Sequence, residues 1–303
     1  MKVIYGLNNL KCQRKKSVAT IGIFDGVHIG HQKILTEVVR QAKTRRQIAT
    51  VLTFYPHPQK VLGSISSKST ITSLEHRLKL LQDIGVDLCI VIRFTRALSK
   101  RPIDWLIRHV LVKKLKATTL IIGSRFKLGR ERVSAKDFKK LLHNHGLGLK
   151  IIPTQRYEGK VISSSLIRNL IKTGRLDIGS KLLGRSVAIY GTVKPGRRIG
   201  RTIGFKTANI DPHHEAMPPT GVYAVKVKVY ERYYRGVLNI GFRPTLGLRQ
   251  KEPEIEVHIL GFDGSLYNKP IELFFVKKIR SERHFKNKAA LREQIKKDIL
   301  YNI

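Results

Sequence analysis

Val18-Ala19-Thr20-Ile21-Gly22-Ile23-Phe24-Asp25-Gly26-Val27-His28-Ile29-Gly30-His31 decides the fold. The apolar run from Val18 to Phe24 predicts a buried strand. Two glycines and two histidines follow. Then Ile34, Leu35, Val38, Val39 and Ala42 recur at helical spacing through Thr44. A buried strand that leads through a glycine loop into a helix opens a βαβ unit. Gly26 and Gly30 let the main chain approach a ligand closely. The helix start offers unpaired N–H groups and a positive dipole end to phosphate. His28 and His31 can donate hydrogen bonds to phosphate oxygens as charge develops there. Gly22, Phe24, Asp25, Gly26 and Gly30 are therefore candidate phosphate-binding positions. The same pattern could be a plain strand–loop–helix with incidental histidines. His-x-x-His also suggests zinc, but no third ligand lies nearby.

Outward from this stretch the alternation continues. Ile48–Phe54, Leu88–Phe94, Thr118–Ile122 and Leu149–Pro153 read as strands. Leu74–Ile84, Ile103–Leu115 and Phe138–His145 read as helices between them. This rhythm predicts a parallel sheet with helices on both faces and ligands at the carboxyl ends of its strands. From Gly184 onward the style changes. Ser186–Val193, Val222–Tyr230, Arg235–Ile240, Glu254–Leu260 and Ile271–Ile279 are short segments separated by Gly, Pro and Asp-Gly turns. They predict an antiparallel sheet or small barrel, closed by an amphipathic helix over Ala289–Leu300. Two domains are expected, 1–180 and 184–303, in line with a length of 303 residues.

The charge is unusual. There are 59 Lys and Arg against 21 Asp and Glu, a net charge of +38. Residues 1–183 hold +26 of it and residues 184–303 hold +12. This excludes an acidic solvating chain and favours polyanions: nucleic acid, an anionic membrane surface or phosphorylated small molecules. No RNA-recognition or zinc-finger signature is present, and aromatic residues make up 7%. Non-specific polyanion binding from the basic surface is expected as a by-product. The two cysteines, Cys12 and Cys89, form neither a disulfide framework nor a metal quartet. Cys89 sits inside an apolar run and is expected to be a small buried hydrophobe. No run approaches the roughly 20 apolar residues of a membrane span, and Met1–Cys12 has no signal-type apolar core. The expectation is a cytoplasmic protein without membrane insertion, acting on small-molecule substrates. None of these features sets an oligomeric state.

Further candidates lie downstream. Ser163, Ser164 and Ser165 suit the N-terminus of a helix over Leu166–Thr173, with Arg168 one turn in. Their hydroxyls could cap the helix or hold phosphates. Glu256 alternates with Ile255 and Val257 on a predicted strand and so points to the opposite face. Thr207 and Asn209 offer oxygen ligands suited to a hard cation, although both types are also common in turns. Gly196, Gly200 and Gly204 space a basic, glycine-rich stretch. His143 and His145, before Gly146, suit a helix C-terminus.

Together these motifs resemble the bacterial bifunctional riboflavin kinase/FMN adenylyltransferase (FAD synthetase) family. The N-terminal part is similar through His28–His31, through Thr53-Phe54-Tyr55-Pro56-His57-Pro58 and through Ile162–Arg168. The C-terminal part is similar through Gly191–Ile210, Gly221–Ala224, Asn239–Thr245, Glu256–Leu260 and Arg280–Phe285. The resemblance implies a Rossmann-like nucleotidyltransferase α/β domain followed by a small antiparallel β-barrel flavokinase domain with a C-terminal helix. It implies transfer of the ATP γ-phosphoryl to riboflavin, giving FMN, and then adenylylation of FMN, giving FAD and pyrophosphate. It implies ATP and Mg²⁺, with riboflavin, FMN and FAD as substrate and product. By analogy Glu256 is the kinase base, and Thr207 and Asn209 hold the metal. Gly196, Gly200 and Gly204 would wrap the phosphates. His57, Pro58, Phe126 and Arg280 would contact the flavin. Arg125 stands where the family usually has Asp or Asn, and Lys206 where it usually has Pro. The first departure opens one alternative, a riboflavin kinase with an impaired adenylyltransferase domain. The charge opens the other, a basic nucleic-acid-binding protein on this scaffold.

Overall fold

The computed structural model describes residues 1–63, 70–126, 135–196, 204–213, 215–242 and 253–301. It divides into two compact units. One is Met1–Lys68 with Leu74–Ser164, and the other is Ser69–Ser73 with Ser165–Ile303.

The first unit is a parallel sheet of six strands. These are β1 (Lys2–Tyr5), β2 (Ser17–Ile21), β3 (Ile48–Tyr55), β4 (Leu88–Arg93), β5 (Ala117–Gly123) and β6 (Gly148–Ile152). Their spatial order is β1-β4-β3-β2-β5-β6. From β2 the chain builds one half of the sheet through β3 and β4, then returns to build the other through β5 and β6. The order therefore reverses beside β2, which makes its carboxyl end the switch point where such sheets open a crevice. Between the strands lie α1 (Ile29–Thr44), α2 (Pro58–Val61), α3 (Leu74–Ile84), α4 (Arg96–Ser99), α5 (Ile103–Leu106) and α6 (Ala135–Asn144).

Every residue of β2 is buried, because both sheet faces are covered. Val18, Val51, Cys89 and Val91 meet Leu35 and Val38 of α1 and Leu81 of α3 on one face. Ala19, Ile21, Leu52, Ile90 and Ile92 meet Leu106, Leu142 and the segment after α5 on the other. A strand buried on both sides is mostly apolar, and the two polar side chains of β2, Ser17 and Thr20, are small hydroxyls. Burial also pushes the Cys89 thiol up to about 12, so it stays a neutral core group.

Two elements differ from expectation. β2 ends at Ile21 rather than Phe24, because Phe24 takes left-handed backbone angles (φ 54°, ψ 30°) that turn the chain. The helix expected over Ile103–Leu115 widens to π-helical turns across Ile107–Val112. There the N–H groups of Lys113 and Leu115 reach carbonyls five residues back, at Arg108 and Val110. The wider turn keeps Ile107, Val110 and Leu111 all in the core.

After a short hairpin of β7 (Arg156–Tyr157) and β8 (Lys160–Val161) come α7 (Ser164–Lys172) and α8 (Leu176–Leu183). The second unit is then a closed antiparallel barrel. Its strands are β9 (Ala188–Lys194), β10 (Thr207–Asp211), β11 (Gly221–Val229), β12 (Arg232–Gly241), β13 (Glu254–Ile259) and β14 (Pro270–Arg280). The order is β10-β13-β12-β11-β14-β9, and β9 pairs with β10 to close it. The closing pairs are Asn209 with Lys194, Ile210 with Val193 and Asp211 with Thr192.

The last helix, α9 (Lys288–Leu300), starts at Asn287, whose side chain accepts the Ala290 N–H. It was expected to be amphipathic. Its one fully buried side chain among the described residues is instead a carboxylate, Asp298, 2% exposed. Arg280 at the end of β14 grips that carboxylate with Nε at 2.9 Å and Nη2 at 2.7 Å. A two-pronged pair of this kind fixes orientation as well as distance. Removing Asp298 would strand the guanidinium. Asp298→Ala is expected to cost about 3 kcal/mol, and the loss is read as a lowered Tm. A Tm unchanged from wild type would show the pair to be dispensable.

Candidate active sites

The first site is the loop between β2 and α1. Gly22 keeps the sheet pairing, its N–H donating to the Leu52 carbonyl at 3.0 Å. A Cβ on Gly22 would meet the buried Phe24 ring at 2.9 Å, so a side chain there would displace Phe24. Gly26 and Val27 then have positive φ, 77° and 38°. For a β-branched residue that conformation is strained, by about 1–3 kcal/mol. Local hydrogen bonds hold it. Ser164 Oγ donates to the Asp25 carbonyl at 2.9 Å, and Gln32 Nε2 donates to the Val27 carbonyl at 2.8 Å.

The strained turn sets the two histidines. His28 is the N-cap of α1, and its Nδ1 accepts the His31 N–H at 3.4 Å. An accepting Nδ1 puts the proton of neutral His28 on Nε2. The two imidazoles stack with centroids 3.6 Å apart and planes 20° apart. A Cβ on Gly30 would lie 3.2 Å from the His28 ring, so glycine makes room for the stack. Burial first, then the charges of His28 and Arg77, push the His31 pKa well below its usual 6.5. Near neutral pH, His31 is therefore an uncharged hydrogen-bond donor at the start of a helix.

The neighbouring strand ends carry the other candidates. β3 leads into His57, which caps α2 by accepting the Gln59 N–H at 3.2 Å, and Pro58 is the first residue of that helix. β5 leads into exposed Arg125 and half-buried Phe126, whose ring packs 5.9 Å from Phe138. Since β3 and β5 flank β2, His28, His31, His57 and Phe126 share one edge of the sheet. Ser163 precedes α7, and Ser164 starts it. Ser165 and Arg168 follow on α7, within the part of the chain that belongs to the second unit. His145 follows the end of α6, as expected, and also reaches Asp104 with Nε2 at 2.7 Å.

The sequence reading missed Arg77. It sits on α3 between the buried positions Leu74 and Leu81 and is 2% exposed. A cation at a helix position whose turn neighbours are core residues is the signal that could have found it.

The second site is on the barrel wall. The register places Glu256 of β13 directly between Asn209 of β10 and Asn239 of β12. Ile255, Val257 and Ile259 fill the interior, so Glu256 and His258 lie on the outer face. Thr207 pairs with His258, and Thr207 and Asn209 share that face. Gly196 lies against the Asn209 amide so closely that any Cβ there would collide with it. Gly204 has φ +88°, which suits glycine. Gly200 lies outside the described residues. Lys206 accepts the His258 ring nitrogen at its carbonyl (2.8 Å) and pairs its Nζ with Asp263 (2.7 Å). Beside Thr207 opens a pocket of about 350 Å³ with Val257, Ile259, Phe262, Leu266 and Tyr267 among its walls. Arg280, a flavin candidate, has its Nε and Nη2 committed to Asp298 and Nη1 to the Ser281 carbonyl. Only its remaining N–H groups are left for a ligand.

A doubly wound sheet with a histidine loop at its switch point, followed by a barrel with an outward carboxylate between two asparagines, defines a two-unit α/β-plus-barrel chain with one candidate site in each unit. Residues 10–166 match the family model for FAD synthetase, and residues 183–302 match that for riboflavin kinase. The bifunctional riboflavin kinase/FMN adenylyltransferase of Escherichia coli strain K12 is 37% identical, over 99% of this chain and 96% of that protein. The proteins of the same description from Buchnera aphidicola of Schizaphis graminum and from Bacillus subtilis are 34% and 35% identical. They align over 99% and 95% of this chain and over 97% and 92% of their own lengths. A crystal structure titled as a macrolide-efflux protein from Streptococcus pneumoniae superposes with a TM-score of 0.85 at 26% identity, over 100% of this chain and 99% of that one. The chain belongs to the bifunctional riboflavin kinase/FMN adenylyltransferase family.

The histidine geometry has a measurable consequence. The unfolded chain takes up a proton at His31 near pH 6.5, whereas the folded one resists it. Acidification therefore favours unfolding below that pH and leaves stability untouched above it. Wild-type protein should lose more stability than His31→Asn between about pH 7 and about pH 5 in denaturant titrations. Equal losses would place the His31 ring in water.

Proposed function

We propose that the chain makes FAD from riboflavin in two steps at two separate sites. Residues 184–303 form the kinase and residues 1–180 the adenylyltransferase. Family membership along the whole chain supports both activities. The observation that carries the kinase half is the lateral row Asn209–Glu256–Asn239.

In the kinase step the Glu256 carboxylate accepts the proton of the riboflavin 5′-hydroxyl. The freed oxygen attacks the γ-phosphorus, the bond to the bridging oxygen breaks, and ADP leaves. The apolar walls of the pocket beside Thr207 receive the adenine. Thr207 and Asn209 present neutral oxygens on one face of one strand, a fitting donor set for a hard cation that keeps waters and phosphate oxygens as its other ligands. Among the described residues no group of three His, Cys, Asp or Glu side chains could hold a metal, which agrees with a site completed by the nucleotide. Mg²⁺ bound there would neutralise charge on the transferring phosphates.

In the adenylyl step a phosphate oxygen of FMN attacks the α-phosphorus of a second ATP, and pyrophosphate leaves. His28, His31 and the first N–H groups of α1 donate to the oxygens where charge accumulates. Gly22, Phe24, Asp25, Gly26 and Gly30 shape the loop. Ser163 and Ser164 add phosphate donors, and His57, Pro58 and Phe126 face the flavin. An impaired adenylyltransferase is not favoured, because both family models match along the chain. Nor is a nucleic-acid-binding scaffold, since the family match covers both units. A cytoplasmic setting belongs to the same proposal. Both cysteines are free, and among the described residues no helix is long and apolar enough to cross a membrane.

Product chromatography after incubation with riboflavin, ATP and Mg²⁺ tests both halves. Wild-type protein should yield FMN and FAD. Glu256→Gln should lower FMN formation by about 100-fold or more while FAD still forms from supplied FMN. If that variant kept full kinase activity, the assignment of the base would fall. Gly196→Ala should also depress FMN formation alone, because its new methyl displaces Asn209.

A further inference from the structure

Arg77 is a guanidinium placed where an aliphatic side chain would fill the same space at lower cost. Burying a cation is expensive unless hydrogen bonds repay it. Its Nη1 donates to the Ile23 carbonyl at 2.7 Å, to Thr53 Oγ1 at 3.1 Å and toward the Phe54 carbonyl at 3.5 Å. Thr53 Oγ1 in turn donates to the same Ile23 carbonyl at 3.1 Å. Two donors from two elements, α3 and β3, therefore converge on one carbonyl, one residue before the left-handed turn at Phe24. Buried Asp25, two residues beyond Ile23, supports the positive charge of Arg77 electrostatically. The Arg77 Nε is itself buried and has no hydrogen-bond partner. Packing alone would not select such a group. A need to hold carbonyl oxygens at a fixed place would.

We propose that Arg77 is a positioning residue for adenylyl transfer: its guanidinium ties the end of β2 to the end of β3 and so fixes the loop that carries His28 and His31. The inference rests on the adenylyltransferase reading of that loop. Arg77 lies beneath the loop in this scheme and touches no reacting atom. Its effect passes through the Ile23 carbonyl to Phe24, and from Phe24 to the His31 ring, whose centroid is 5.3 Å from that of Phe24. A shift of the loop displaces the phosphate donors together. Loss of alignment near 1 Å costs about 100-fold in rate. The flavin side of the site, at His57 and Phe126, is held by other contacts.

The test compares Arg77→Met, Arg77→Lys and Thr53→Val with wild type in full-length protein. FAD formation is followed from supplied FMN and ATP, FMN formation from riboflavin controls for enzyme concentration, and thermal unfolding of each variant controls for folding of the unit that carries Arg77. Arg77→Met should lower kcat for FAD formation by about 10- to 100-fold, with KM for FMN changed by less than about 3-fold. Its kinase activity should be that of wild type. Arg77→Lys should recover most of the lost kcat, because an ammonium can still donate to the Ile23 carbonyl and Thr53. Thr53→Val, which removes one arm of the junction, should fall between them. Wild-type kcat in Arg77→Met overturns the inference. So does a loss that appears only in KM, or one that Lys does not relieve. If Arg77→Met does not fold, the other two variants decide, and wild-type kcat in both overturns it. Wild-type protein that makes FMN but no FAD overturns the adenylyltransferase reading, and the inference with it.

Discussion

The first unit depends on how a strand buried on both faces is brought to a stop. Inside the sheet β2 can carry no polar side chain toward a ligand. At its end it must expose main-chain N–H groups without opening the core. The chain solves this with positive φ angles at Phe24, Gly26 and Val27. These reverse its direction within one turn and aim the start of α1 back over the sheet. The histidine stack, the Gly30 clearance and the Ser164 contact all follow from that turn. The strain at Val27 is tolerable because Ser164 and Gln32 donate hydrogen bonds to the carbonyls of Asp25 and Val27.

The barrel meets a different constraint. Its candidate site residues sit on strands, so their placement is a question of register. Glu256 is paired on both sides, with Asn209 and with Asn239. A slip of one residue on either side would carry it into the interior and bring Ile255 or Val257 out. The apolar interior therefore enforces the position of the carboxylate without touching it.

Most of this architecture was legible in the sequence. The helix over Leu74–Ile84 and the strand pattern around Glu256 follow from apolar periodicity alone. Three features were not legible, each for a physical reason. Thr207–Asp211 is short and polar and reads as a turn, but β9 and β13 recruit it as the strand that closes the barrel. α9 is held by a buried Asp298, which a search for apolar stripes passes over. Arg77 resembles any solvated helix cation until its neighbours in space are known. Local pattern records which face is apolar. It does not record a polar group whose partners are distant in sequence.

The net charge of +38 acquires a context from the barrel ladder. With 59 cations and 21 anions, few basic side chains can find an acidic partner, and Glu37 already serves both Arg40 and Lys150. Such a surface invites mutual repulsion. The register of the row Asn209–Glu256–Asn239 is set by main-chain pairing within a closed barrel, which does not depend on side-chain charge. The surface charge of such a chain can therefore be altered without moving that row out of register.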